Sequence, residues 1–225
     1  MPNWEAVVVA AGKGVRLKTK TPKAFVRLKG KPLLYYSLKA FQNHPQISRI
    51  ILVVDKKELF RAFHLVKEYK FSKVGMIVRG GKERKDSVAS GLGEVRKYSK
   101  YVLIHDAARL FVNSRLISQI IAALKSFDCA IPGVPVKDTV KYADRRGIVK
   151  ATLKREGLFQ IQTPQGIRSR LIPGILKNTK KRRFAYDDAS LIEKTNKVKV
   201  VLSNPANIKI TTPDDLKFAT LYLSV

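Results

Sequence analysis

Four short apolar runs limit the fold of this chain more than any other feature. Residues 5–11, 49–54, 74–78 and 100–104 are rich in Val and Ile and too short to be helices. The second is apolar at successive positions, as a strand of a helix-covered parallel sheet must be. Segments of helical periodicity lie between the runs. They cover Leu33 to Phe41 behind Pro32, Lys57 to Tyr69 with Leu59, Phe63, Val66 and Tyr69 in its stripe, a short turn through Val88 and Leu92, and Ser114 to Ser126. A fifth strand begins at Asp128. Four strand–helix alternations in the first ~130 residues predict a mostly parallel open α/β sheet with right-handed crossovers. At 225 residues the chain has the length for one such domain, expected here to span 1–225.

The pattern changes between residues 132 and 165. Extended stretches at 139–142, 148–153 and 158–162 surround the turn signal Asp144-Arg-Arg-Gly147, which predicts a β-hairpin arm at about 134–162. The arm has too little apolar surface to be a domain and must lean on something, a second subunit being one candidate. Beyond it, residues 166–177 read as helix and the basic run Lys180-Lys-Arg-Arg183 as a loop. A further helix follows Asp187-Asp188, either of which fits an N-cap. Residues 197–202 and 208–210 read as strands, and Pro213 opens a last helix.

The first strand runs into Ala10-Ala11-Gly12-Lys-Gly14-Val-Arg16, followed by Pro22-Lys23. Glycines after a strand let the backbone approach a ligand, and the adjacent cations propose a phosphate cradle. It is not a dinucleotide loop, because the third glycine position, 17, is Leu. It is not a Walker loop either, since Lys13 is followed by Gly14 in place of Ser or Thr.

Lys and Arg number 45 against 17 Asp and Glu, a formal charge of +28 that attracts polyanions. Aromatic-basic interleaving, zinc spacing and a helix-turn-helix layout are all missing, which argues against a specific nucleic-acid reader. The single cysteine, Cys129, excludes an intrachain disulfide framework and reads as a buried small hydrophobe. No apolar stretch approaches the length of a membrane span, and a cytoplasmic location is the expectation.

Ligands of open parallel sheets bind beyond the carboxyl ends of the strands. Three segments fall there: 11–16, Arg79 to Ser87, and His105 to Arg109. They bring together glycine N–H groups, Lys13, Arg16, Lys23, Arg84, Ser87, Asp106 and Arg109, an inventory suited to a triphosphate and a second anion. Asp106 and the pair Asp187-Asp188 read either as Mg²⁺ or hydroxyl ligands or as caps and solvated acids.

The motifs also carry a resemblance. Residues 10–16 with Pro22-Lys23, Gly80-Gly81 through Val88, His105-Asp-Ala-Ala-Arg109, Asp138-Thr139, Thr163-Pro-Gln165, Asp187-Asp-Ala-Ser190 and Asn207-Ile-Lys-Ile-Thr211 occur in this order through nearly the whole chain. The set resembles the 2-C-methyl-D-erythritol 4-phosphate cytidylyltransferases of the non-mevalonate isoprenoid pathway. Sister enzymes acting on pentitol or pentulose 5-phosphates share the glycine loop and the 207–211 stretch, but 105–109 and 187–190 are more similar to the methylerythritol branch. The resemblance implies a Rossmann-like nucleotidyltransferase that uses CTP and Mg²⁺, with no metal site built by the protein: the metal is held mainly by the CTP phosphates, and Asp106 is the one candidate protein ligand. Ala10, Ala11, Gly12, Gly14, Gly80, Gly81, Arg84, Ser87 and Asp106 would hold CTP. Arg16 and Lys23 would stabilise the reacting α-phosphorus, while Asp106, Arg109 and the catalytic Lys209 would meet the methylerythritol phosphate. Thr139 and Arg155 would reach the site of a partner subunit, making the protein a homodimer. Four positions depart from the pattern: Ala24 for Gln, Lys82 for Ala or an acid, Leu110 for Pro, and Ser203 for Gly.

Overall fold

The computed structural model describes residues 4–181 and 185–223. Strand β1 (Trp4–Val9) enters the glycine loop, after which a small hairpin of β2 (Arg27–Leu28) and β3 (Lys31–Pro32) leads into helix α1 (Leu33–Asn43). The alternation continues as β4 (Ile47–Val54), α2 (Leu59–Glu68), β5 (Val74–Arg79), α3 (Arg84–Gly93), β6 (Tyr101–Asp106), α4 (Ser114–Ala123) and β7 (Cys129–Pro135). Then follow β8 (Val140–Ala143), β9 (Val149–Leu153), β10 (Phe159–Ile161), β11 (Gln165–Arg168), α5 (Ile172–Lys181), β12 (Val198–Leu202) and α6 (Pro213–Tyr222).

β1 lies between β4 and β6, parallel to both, and β5 lies parallel outside β4. On the other side, β11 runs antiparallel between β6 and β7. Cys129 and Ala130 of β7 pair with β11 on one edge and with parallel β12 on the other, while β10 pairs antiparallel with residues 133–135. The sheet is therefore mixed, with six parallel strands and the two antiparallel strands β10 and β11. The chain winds one way from β1 to β5 and the other way from β6 onward. This reversal opens a crevice at the paired carboxyl ends Val9 and Asp106, where such sheets bind ligands.

Alternation along β1 divides the core. Trp4, Ala6 and Val8 face a cluster with Leu34, Leu38, Ala62, Ile117 and Ile120 of α1, α2 and α4, whereas Val7 joins Val88, Leu92 and Ile175 of α3 and α5. Each such fully buried aliphatic side chain contributes about 1.5–3 kcal/mol. A third cluster of Leu17, Val26, Leu28, Leu33, Leu110, Ile210 and Ala219 fastens the end of the glycine loop to the segment before α6. Leu110, the departure from Pro, is thus a core residue.

Four expectations are corrected. Residues 165–168 form a strand where helix was expected. Gly166 fits there because an added Cβ would lie 2.6 Å from Ile120 and from Leu124 of α4, a tertiary constraint with no local signature. Lys180 and Lys181 end α5 in place of a loop, and the rest of the basic run, Arg182 and Arg183, lies outside the described residues. Residues 208–210 join no ladder; Ile210 N–H donates only to Ala108 C=O, at 2.8 Å. Phe63 lies on the solvent face of α2, edge-on to His64, because Ala62 and Leu65 take the buried stripe.

The arm is β8 paired antiparallel with β9, turning through Asp144 to Ile148 with Gly147 at φ 80°. Its flanks at 134–135 and 159–161 belong to the main sheet. Tyr142, Ile148, Val149 and Leu153 are exposed on it, so these four apolar side chains are left largely uncovered by the described residues.

Candidate active site

A cavity of about 940 Å³ opens at the crevice. Its wall is assembled from the end of β1 (Ala10, Ala11, Gly12, Lys13), the turn at Lys23 and Ala24, the β5–α3 connection (Arg79, Gly80, Gly81, Lys82, Glu83, Arg84, Ser87), Asp106 at the end of β6, and Lys209. Six cations, Lys13, Lys23, Arg79, Lys82, Arg84 and Lys209, face three carboxylates, Asp55, Glu83 and Asp106. A concavity with that balance favours a polyanionic ligand.

The backbone brings these groups together by close approach. Gly14 has φ 66°, and a Cβ there would fall on the Cβ of Lys23, so the glycine lets the loop close against the lysine stem. Glu83 caps α3 in a reciprocal box with Asp86, and Glu83 and Arg84 at the N-terminal turn of that helix line the cavity. Ser87 Oγ accepts from Gly81 N–H at 3.1 Å and donates to Glu83 C=O, which holds the Gly80-Gly81 turn over the helix.

Asp106 is the electrostatic centre. Its Oδ1 accepts from Arg84 Nε at 2.7 Å and its Oδ2 from Lys209 Nζ at 2.6 Å. Burial pushes the carboxyl up, but Arg84 and Lys209 outweigh this and hold it well below the usual carboxylate range. Lys23 is half-buried. Burial, then the neighbouring charge of Lys209 and of Arg16, lowers its amine to about 8. Arg84 also grips Asp188 with two parallel bonds of 2.8 Å.

Behind Asp106, buried His105 fixes the loops. Its Nε2 donates to Arg109 C=O at 3.1 Å, so its Nδ1 is the acceptor, and Thr163 Oγ1 donates to it at 3.0 Å. Thr163 Oγ1 in turn accepts from Asp106 N–H, and burial depresses His105 to about 3, keeping the ring neutral. Asn207 donates to Gln162 Oε1 and to Thr163 C=O. Ser203, the departure from Gly, adds a 2.7 Å bond to the same Gln162 oxygen, which ties the segment before Lys209 to the end of β10.

The comparisons with known proteins place this architecture. The family model described as IspD: 2-C-methyl-D-erythritol 4-phosphate cytidylyltransferase matches residues 4–225. The chain belongs to this family. A 2-C-methyl-D-erythritol 4-phosphate cytidylyltransferase of Clostridium novyi (strain NT) is 45% identical over 214 residues, 94% of this chain and 92% of that one. Another, of Dehalococcoides mccartyi, is 44% identical over 219 residues, 97% of this chain and 95% of its own length. The crystal structure of the 4-diphosphocytidyl-2C-methyl-D-erythritol synthase of Anaerococcus prevotii aligns with TM-score 0.87 at 31% identity, covering 100% of this chain and 99% of that one. The cytidylyltransferase of Thermus thermophilus gives TM-score 0.77 at 27% identity. This chain is accordingly an enzyme, a CTP-dependent cytidylyltransferase of isoprenoid biosynthesis.

Most of the anticipated residues of this cytidylyltransferase meet in one wall: Ala10, Ala11, Gly12, Lys23, Gly80, Gly81, Arg84, Ser87, Asp106 and Lys209. Gly14 and Arg16 stand beside it, and the exposed Arg16 is felt electrostatically by Lys23. Arg109 does not line the cavity; its guanidinium donates to Asn207 C=O at 2.8 Å and Ile161 C=O at 3.4 Å, bracing two loops. Thr139 and Arg155 are exposed at the root of the arm, and Arg155 Nη1 donates to Lys137 C=O. Neither lines the cavity of its own chain. Asp187 and Asp188 are not free ligands. Asp187 Oδ1 accepts from Ser190 N–H as a cap and Oδ2 from Gln165, while Asp188 is committed to Arg84.

Among the described residues no cluster of three or more His, Cys, Asp or Glu side chains could hold a metal. Both oxygens of Asp106 already face cations. This donor set fits a Mg²⁺ brought in on phosphate oxygens and water, not a cage built by the protein. No helix among the described residues is long and apolar enough to cross a membrane.

Proposed function

We propose that this enzyme transfers the CMP group of CTP to 2-C-methyl-D-erythritol 4-phosphate, giving 4-diphosphocytidyl-2-C-methyl-D-erythritol and pyrophosphate. The observation that carries the reading is the cationic cavity centred on Asp106, Arg84 and Lys209 within a chain of this family. A phosphate oxygen of the acceptor attacks the α-phosphorus of CTP; the new P–O bond forms as the bond to the β,γ-diphosphate breaks. The nucleophile is already an oxyanion, so the protein need only position the two anions and neutralise developing charge.

Gly12 and Gly14, with Ala10 and Ala11, wrap the triphosphate. Gly80, Gly81, Ser87 and Arg84 hold the nucleoside end at the start of α3. Lys23 and Arg16 meet the α-phosphoryl oxygens, and Lys209 orients the acceptor phosphate while Asp106 takes a neighbouring hydroxyl. Asp106 would be the protein oxygen for a Mg²⁺ carried on the CTP phosphates, which would supply charge neutralisation for the leaving diphosphate. Arg109 turns from its two carbonyls to the acceptor. Thr139 and Arg155 come from the arm of a second subunit, making a homodimer; the exposed Tyr142, Ile148, Val149 and Leu153 of the arm support that reading. Pyrophosphate release that requires both CTP and the methylerythritol phosphate tests the reaction. Release with CTP alone, or equal rates with ATP, would contradict it.

A further inference from the structure

A buried amide anchors the turn that carries Asp187 and Asp188. Gln165, 1% exposed on β11, accepts with Oε1 from the N–H groups of Asp188 and Ala189, at 3.0 and 3.1 Å, and donates from Nε2 to Asp187 Oδ2 at 2.9 Å. The Asp188 side chain is thereby presented from a fixed turn. It is 2% exposed, does not line the cavity, and places both carboxylate oxygens on the terminal nitrogens of Arg84. Arg84 does line the cavity and sends its Nε to Asp106, whose other oxygen holds Lys209. A relay of polar contacts thus runs Gln165, Asp188, Arg84, Asp106, Lys209, joining β11 to the nucleotide side and the acceptor side of the same site.

We propose that Asp188 is a positioning residue for the nucleotide, acting through Arg84. The proposal rests on the assignment of Arg84 to CTP given above. A buried carboxylate is stable only while paired, and among the described residues the cation paired with Asp188 is Arg84, so the pair keeps the guanidinium plane in one orientation. It also divides the charge of Arg84 between two carboxylates. With the two-pronged edge committed to Asp188, Asp106 receives a single bond from Arg84 and retains one oxygen for Lys209. Neutralising Asp188 leaves Asp106 as the only carboxylate for Arg84; the guanidinium turns its paired edge onto Asp106 and competes with Lys209. The site loses the fixed Arg84 first and the placement of Lys209 second.

The experiment measures CTP affinity by calorimetry, with turnover at saturating CTP, in D188N, D188E, R84K and the double variant R84K/D188N. D188N is expected to weaken CTP binding about tenfold or more, the scale of one charge-assisted contact, with a smaller change in kcat. D188E, which keeps the charge on a longer stem, is expected to lie between wild type and D188N. The double variant is expected to match R84K, because Asp188 acts only through that side chain. A purely structural Asp188 would instead lower the melting temperature, leave the CTP affinity of the folded fraction unchanged, and add its effect to that of R84K; that result overturns the inference while leaving Arg84 a nucleotide contact. Unchanged CTP affinity in R84K removes the nucleotide assignment of Arg84 and the inference with it. If D188N does not fold, D188E decides: CTP affinity and turnover both equal to wild type overturn the proposal, and weaker CTP binding at near-normal kcat supports it.

Discussion

Lys209 Nζ sits 2.6 Å from Asp106 Oδ2, so an amine and a carboxylate assigned to the same acceptor are paired with each other. The pairing compensates the buried charge of Asp106 with a half-exposed amine, and it places the lysine beside the strand end where the acceptor must lie. Asp106→Asn keeps the shape and removes the charge. Arg84 keeps its pair with Asp188, but Lys209 then faces a neutral amide; because that lysine is half-exposed, the loss of stability is expected to be about 1–3 kcal/mol. Turnover should fall with it by roughly a hundredfold or more. Urea denaturation and a pyrophosphate-release assay check the two halves; wild-type turnover in a folded Asp106→Asn protein removes Asp106 from the site.

Lys23 bears on both activity and stability. Burial and the adjacent Lys209 depress its amine to about 8, so in the free enzyme it loses its proton just above neutrality. The rate at low CTP should therefore decline along an alkaline limb near pH 8, and Lys23→Arg should move that limb upward. The stability effect has the opposite sense. A lysine whose folded pKa lies below its unfolded value stabilises the fold at high pH, and this is lost as pH falls through about 8. At pH 7 the charged amine is destabilising. Lys23→Met should raise the melting temperature while turnover falls roughly a hundredfold to a thousandfold; a lower melting temperature with intact turnover contradicts both assignments.

His105 sets a boundary on the acid side. Burial holds the ring neutral down to about 3, against 6.5 for the free side chain. Its contribution is complete above pH 6.5 and is lost as pH falls towards 3, up to about 5 kcal/mol in all. Imidazole ¹⁵N shifts should show the tautomer protonated on Nε2 at pH 5, and unfolding at pH 5 should need less urea than at pH 7. An imidazolium signal titrating above pH 5 would contradict the loop geometry.

The position of Thr139 and Arg155 outside the cavity of their own chain gives a complementation test. Lys23→Ala damages one site, and Arg155→Ala damages the site of the neighbour. Mixing the two inactive proteins under conditions of subunit exchange should create hybrid dimers with one intact site and restore part of the activity. No recovery after verified exchange counts against sharing across subunits.

Much of this architecture was legible in the residues. Parallel strands buried on both faces need continuous apolar runs, which is why β1, β4 and β6 stood out; the edge strand β5, half-exposed along its length, was legible from its Val and Ile content alone, and the glycine loop announced itself by Gly12 and Gly14 between a strand and cations. The strand at Gln165–Arg168 was not legible, because the packing of Gly166 beneath Ile120 and Leu124 decides it. In the site, the cationic wall was readable from its spacing after strand ends. The grip of Asp188 on Arg84 was not: the two are 104 residues apart, and each alone looks like a cap or a phosphate ligand. The direction of Arg109 depends on the path of the Asn207 loop, which no local pattern encodes.

The central claim is the identity of the acceptor. CTP and Mg²⁺ should be supplied with 2-C-methyl-D-erythritol 4-phosphate in one reaction and with ribitol 5-phosphate or ribulose 5-phosphate in parallel ones, the products being identified by ³¹P NMR and mass. A diphosphate-linked cytidyl product is expected from the methylerythritol phosphate at a rate at least ~100-fold above the pentose series, the scale on which a pocket rejects an analogue differing by a methyl or a hydroxyl group. Equal or faster product formation from a pentitol or pentulose phosphate would contradict it.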